Sequence, residues 1–363
     1  MFLAIRELSF AKGRFALMGS VISLVAVLTV LLSGLATGLV DDGISGLRAL
    51  PVSHLGFQQG ADSTFSRSTV DADSVAALAA VPGAEAEPFG LTLVNATSNR
   101  DVNVDLALMG LAEGGFVAAA TLPDGTPAAG TAIISQGLAD QGIAIGDTMA
   151  VDRSTVTMTV AGIVAPATYG HVDAVYVALP LWQEVSHLGP DDGPQAASAV
   201  AVSGGADADL ARAGEAAGLD VVTRTEAYAG SPGYSAETST MSLIRGFLYL
   251  ISAMILGSFF TVWTIQRRAE IGLQKALGAS TSAVLRGSLG QVLIVLLAAT
   301  TVGATIGYVL GKLIEGGDIP FSLSLATVLG AATILVVSGA IGMLVGVRKV
   351  TSVDPIIALG AAA

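Results

Sequence analysis

The sequence predicts an α-helical membrane protein with four transmembrane helices and one α+β extracytoplasmic domain inserted between helices 1 and 2. Three observations lead there. Hydrophobic residues make up 52% and charged residues 13% of the 363-residue chain, against about 25% charged in a soluble domain. Mean hydropathy is +0.72. Four apolar runs each exceed the ~20 residues that cross a bilayer core as a helix, and about 200 residues, a typical domain size, separate the first run from the second.

The elements follow in order. Residues 1–14 place Phe2, Ile5 and Leu8 at helical spacing beside Arg6, Lys12 and Arg14, which suits a helix lying in the cytoplasmic interface of the membrane. Residues 15–40, "FALMGSVISLVAVLTVLLSGLATGLV", run for 26 residues without a charge. That is too long for the core of a signal peptide and predicts a retained first span. The second span is 242–266, with the apolar run Gly246–Gln266. The third is 288–311 and the fourth 321–347, with a short outer loop at 312–320 and a tail at 348–363.

Basic residues decide the sidedness. Arg6, Lys12 and Arg14 precede the first run. Arg267, Arg268, Lys275 and Arg286 lie between the second and third, and Arg348 and Lys349 follow the fourth. By the positive-inside rule, both termini and the 267–287 segment are cytoplasmic and 41–241 lies outside, in a plasma-membrane protein. Segment 41–241 holds 24 acids and six bases, a charge of −18, so the net −12 of the chain belongs to the outer domain. The chain has no basic stripe of the kind that binds nucleic acid.

Within 41–241, short runs such as "LTLVNAT" (91–97), "TAIIS" (131–135) and "VTMTVAGIV" (156–164) read as strands. Between them, "SVAALAAV" (74–81), "LPLWQEV" (179–185) and "ADLARAGEAAG" (208–218) read as helices. The Gly/Pro/Ser-rich segments "SHLGPDDGPQAAS" and "AGSPGYSAETST" read as loops. His54, His171 and His187 are widely spaced, without metal-ligand context, and are expected in surface or packing roles. No EF-hand spacing accompanies Asp191 and Asp192, no metal site is expected, and zero cysteines exclude thiolate chemistry. With no nucleophile–base constellation either, an enzyme is not expected.

Small residues recur at four-residue spacing in the spans: Gly34 and Gly38 in the first, Gly303, Gly307 and Gly311 in the third, Gly342 and Gly346 in the fourth. Such stripes let helix backbones approach closely. The apolar runs carry no charge, so four helices alone make no ion pathway, and oligomerisation with a lipid-facing or dimer-interface cavity is expected.

Between the second and third spans lies "RRAEIGLQKALGASTSAVLRG". Leu273, Ala276 and Leu277 share a helix face, and Gly278 is a natural helix stop before Ser280 or Thr281 as the next cap. This stretch is similar to the signature of the FtsX-like permease family, the membrane subunits of MacB-type ABC transporters. Glu270, Ile271, Gly272, Lys275, Ala276, Gly278, Ala279 and Ser280 fit the family's pattern. "RKVTSVDPIIAL" (348–359) resembles its C-terminal pattern, and "AIISQGLADQGIAIGDTM" its outer domain.

The resemblance implies a permease homodimer working with two copies of a cytoplasmic ABC ATPase subunit. Glu270, Ile271, Gly272, Leu273, Lys275, Ala276, Leu277 and Gly278 would then form the ATPase-coupling helix, and the first two spans would transmit motion to the outer domain, a mechanotransmission mechanism. No phosphate-binding loop occurs in the chain itself; "GYVLGKL" (307–313) is one residue short of that spacing. ATP is therefore expected on the partner, with no covalently bound cofactor here.

Among four-span members, the chain looks most like the haem-exporter branch. Haem as cargo would need axial ligands such as Tyr or Met, and Tyr234, Met241, Tyr249 and Met254 fall near the outer half of the second span. The resemblance leaves open export of peptides, lipids or drugs, extraction of lipoproteins, or regulation of an outer cell-wall hydrolase.

Overall fold

The computed structural model describes residues 12–188, 193, 195–266, 281–317 and 319–351. Two compact units emerge: Val40–Glu237, and the long helices contributed by the chain on either side of it.

Four helices are long and apolar enough to cross a membrane. They are α1 (Lys12–Ala49) and, after the sheet domain, α8 (Tyr234–Gln266), α9 (Thr281–Ile314) and α10 (Leu325–Thr351). α1 has 38 residues, so it runs ~57 Å at 1.5 Å per residue. That exceeds a ~30 Å hydrocarbon core, and the surplus at its C-terminal end belongs to the sheet domain. There Ile44, Leu47 and the following Leu50 are buried among Phe57, Phe89, Met109 and Tyr169.

The sheet domain contains ten strands, β1 (His54–Gln58), β2 (Ala84–Ser98), β3 (Asn103–Leu111), β4 (Thr131–Ser135), β5 (Thr148–Val151), β6 (Thr157–Val164), β7 (Thr168–Tyr169), β8 (Val172–Ala178), β9 (Ala199–Gly204) and β10 (Leu219–Thr223). Its helices are α2 (Ala72–Ala79), α3 (Phe116–Thr121), α4 (Gln136–Asp140), α5 (Leu179–Val185), α6 (Asp207–Ala216) and α7 (Arg224–Ala227). The strand order is β10-β1-β9-β2-β3-β8-β4-β6-β5, with β5 pairing back to β2. The 15-residue β2 serves twice: Ala84–Phe89 pairs with β9, and Ala96–Ser98 pairs with β5. Six strands therefore close into a ring; β9, β1 and β10 extend from one side of it, and the short β7 pairs with β8. Inward-facing Leu106, Leu108, Ile134, Met149, Met158 and Val175 fill the ring, as alternation along half-buried strands requires.

One packing detail explains two glycines. Gly90 and Gly110 are directly opposite each other on β2 and β3, and the Trp182 indole of α5 lies across both, where any Cβ would collide with it. Among the strands, β1, β9 and β10 were not expected, because "HLGFQ", "AVAVSG" and "LDVVT" are short and continuous in burial rather than alternating. The loop expected at 229–240 is corrected as well. Gly233 turns the chain at φ +81°, and residues from Tyr234 on are already helical.

Close approach between the long helices relies on glycine. A Cβ at Gly303 would meet Ser23 and Ala26 of α1, and one at Gly307 would meet Val27 and Val30. Ser23 Oγ donates to the Ala299 carbonyl at 2.8 Å along the same seam. Gly34 lies under the ring of Phe321, Gly38 against the Pro320–Phe321 backbone, and Gly311 against Leu323 and Phe321. Gly257 of α8 and Gly342 of α10 face one another across a second seam. Contacts of this kind hold membrane helices together where burial from water offers no driving force.

Candidate functional site

Two places in the described residues combine charge, geometry and position between elements. The first lies within the unit Val40–Glu237, where a sheet hairpin meets the last turns of α1 and the first turn of α8. β7 and β8 are joined by Gly170–His171, with Tyr169 paired to Val172. Both turn residues have positive φ, 61° and 65°, as a two-residue type I′ hairpin requires. The turn is tied down: Gly170 N donates to the Gly43 carbonyl at 2.9 Å, and Ser231 Oγ donates to the same carbonyl at 2.8 Å. Ser45 Oγ accepts from Thr168 N at 2.9 Å.

This places the His171 imidazole between the two helices. Nδ1 lies 2.9 Å from Asp42 at the end of α1, and Nε2 lies 3.0 Å from Glu237 in the first turn of α8. Burial disfavours the imidazolium, but hydrogen bonds and charge from Asp42 and Glu237 outweigh it, so the His171 pKa is raised above its ordinary 6.5. The sequence reading gave His171 an ordinary surface or packing role; the structure makes it the ion-paired bridge between the two junctions. Only long-range pairing brings positions 42, 171 and 237 together, and no local pattern could have shown it.

The second place is in α8. Met241, Arg245 and Tyr249 occupy one face at i, i+4 and i+8, all half-buried. Arg245 Nη2 donates to the Ser33 carbonyl of α1 at 3.1 Å. Arg245 thus corrects the expectation of four spans without charge, since it lies within the apolar candidate span Tyr234–Phe259. The sequence reading began the apolar run one residue later, at Gly246.

Of the four candidate ligand residues, Met241 and Tyr249 flank Arg245. Met254 lies on the opposite, exposed side of α8 with Leu243, Phe247 and Leu250. Tyr234 is instead a packing residue of the sheet domain, edge-on to Tyr228 with ring centroids 6.0 Å apart. The space lined by Val21, Ile22, Val25, Ser252, Leu256 and Leu335 measures about 10 Å³, room for one water molecule. Among the described residues, no cluster of three metal-ligating side chains occurs. The coupling residues Glu270, Ile271, Gly272, Leu273, Lys275, Ala276, Leu277 and Gly278 lie outside the described residues, as do residues 1–11 of the expected interfacial helix.

Four apolar helices with a sheet domain between the first and second, gripped at both junctions, define a polytopic membrane protein with an inserted domain. Residues 242–355 match the model of the FtsX-like permease C-terminal family. Over 99% of its length the chain is similar to the hemin transport system permease protein HrtB of Staphylococcus epidermidis, at 23% identity and 99% coverage of that protein. HrtB of Staphylococcus haemolyticus is 24% identical, again over 99% of both chains. An uncharacterized ABC transporter permease of Mycobacterium tuberculosis, Rv2563, is 26% identical over 33% of this chain and 34% of its own. The extracellular domain of the noncanonic ABC-type transporter YknZ from Gram-positive bacteria covers 47% of this chain and 98% of its own, at 16% identity and a TM-score of 0.33. Residues 242–355 are an FtsX-like permease domain, and the chain is homologous along its length to the ABC transporter permease HrtB. As such it implies a partner ATPase subunit.

Proposed function

We propose that this permease exports haem, or a closely similar hydrophobic compound, from the membrane by MacB-type mechanotransmission. The observation that carries the reading is end-to-end similarity to hemin transport permeases, which takes in the four helices and the inserted domain alike. The permease works as a homodimer with two ATPase subunits. Both termini and the 267–287 segment face the cytoplasm, where the basic residues concentrate, and the acidic sheet domain is outside.

The chemistry of the described residues fits this reading. α1 and α8 run directly into the sheet domain and are fastened to its hairpin by Asp42, Glu237 and His171. A push passed along α8 would reach Glu237 and, through His171, this hairpin. α8 is the least buried of the four spans in the single chain, and its ridge of Leu243, Phe247, Leu250 and Met254 is free to meet a second copy or an apolar cargo.

Deletion of the gene should make cells sensitive to haemin, and complementation should restore resistance. Unchanged haemin tolerance alongside altered cell-wall hydrolysis would favour the regulator reading instead.

A further inference from the structure

Arg245 is a half-buried cation that the packing of the helices does not explain. Its only acceptor among the described residues is the Ser33 carbonyl, which also accepts the Thr37 hydroxyl at 2.8 Å. Among the described residues Arg245 Nε, shielded from solvent, has no partner, and two turns along the same face buried Thr238 Oγ1 has none either. No carboxylate among the described residues pairs with the guanidinium. Polar groups left this way in a membrane span are costly, and cations there ordinarily face a partner or a pathway.

Position adds a second constraint. The charge-free run Gly246–Gln266 has 21 residues, roughly 32 Å of helix, which matches the ~30 Å hydrocarbon core. Ser33 lies 19 residues beyond Arg14 on α1, roughly 28 Å by the same rise. Both groups therefore sit at the outer edge of the core, given the sidedness of the proposed function. The guanidinium fork is suited to a planar oxyanion, and the side chains one turn above and below it, Met241 and Tyr249, are half-buried and largely apolar.

We propose that Arg245 is the recognition residue for a carboxylate on an amphiphilic cargo, held at the outer edge of the membrane with its apolar body along Met241 and Tyr249. This rests on the export reading and specifies what the exported molecule must carry. Haemin, with two propionates, satisfies it; its dimethyl ester does not. An anionic lipid phosphate offers similar chemistry, so the test separates the two sources.

The test uses the full permease with its ATPase partner in nanodiscs. Thermal stabilisation is titrated with haemin, haemin dimethyl ester, oleate and methyl oleate, first in phosphatidylcholine and then with phosphatidylglycerol added. The wild type should bind each acid about tenfold more tightly than its ester, the scale of one charge-assisted contact. R245Q should lose that preference while ester binding stays unchanged. R245K, which keeps the charge and loses the fork, should retain part of it and guards against misfolding of the Gln variant. A preference seen for oleate but not for haemin would refute haem as cargo and leave Arg245 as the carboxylate residue. Equal binding of acids and esters by the wild type, a preference surviving in R245Q, or no binding by any probe would overturn the proposal. So would an Arg245-dependent response to phosphatidylglycerol alone, which would assign the residue to lipid phosphate.

Discussion

His171 Nδ1 lies 2.9 Å from the Asp42 carboxylate, so a two-residue hairpin turn of the sheet domain holds the last turns of α1. The same ring holds the first turn of α8 through Glu237. The pKa of His171 is raised, so the sign of its contribution is fixed. It is fully present below the ordinary histidine value of ~6.5 and is lost as pH rises through the higher folded-state value. The permease should unfold at progressively lower temperature as pH climbs through that window, and H171Q should remove most of the slope. The groups are partly exposed, so the loss is on the order of 1 kcal/mol. Hydrogen exchange at residues 40–49 should quicken in H171Q.

The seam between α1 and α9 allows no side chain at Gly303 or Gly307. G307L should cost about 1–3 kcal/mol by overpacking and lower the unfolding temperature in detergent. Gly330 has open space around it, so G330A should be neutral or raise stability by about 0.4–1 kcal/mol. Equal effects at the two positions would contradict the seam.

Trp182 rests on the glycine pair Gly90 and Gly110. G110A should push the indole outward, red-shift its fluorescence in a W263F background, and destabilise the sheet domain by about 1–3 kcal/mol. An unchanged emission maximum would show that the indole does not depend on that floor.

The coupling segment makes a prediction of its own. Replacing Leu273 and Leu277 with Asp removes the apolar face expected to meet the ATPase. The double variant should still insert and dimerise, yet export should fall to background while the ATPase turns over without response to cargo. Export at the wild-type rate would remove 269–280 from the mechanism.

Much of this architecture is legible from local pattern. Spans of 20 apolar residues cannot be mistaken for strands, and α2, α5 and α6 declare themselves by local pattern. What escaped was set by distant partners. β1, β9 and β10 are recognisable only once paired with each other and with β2. Arg245 borders an apolar run and reads as its edge until the Ser33 carbonyl is found against it. Tyr234, singled out by its place near the second span, packs edge-on to Tyr228 against the domain core, a contact no local pattern announces. His171 took meaning from two carboxylates 129 residues before it and 66 after it.

The central claim, that the chain is the membrane half of an ATP-driven haem exporter, is tested most directly by ATP hydrolysis. The permease and its ATPase partner would be reconstituted together in nanodiscs and titrated with haemin. The account predicts saturable, haemin-stimulated hydrolysis that requires the permease and is lost in L273D/L277D. Hydrolysis indifferent to haemin in the intact complex would contradict it.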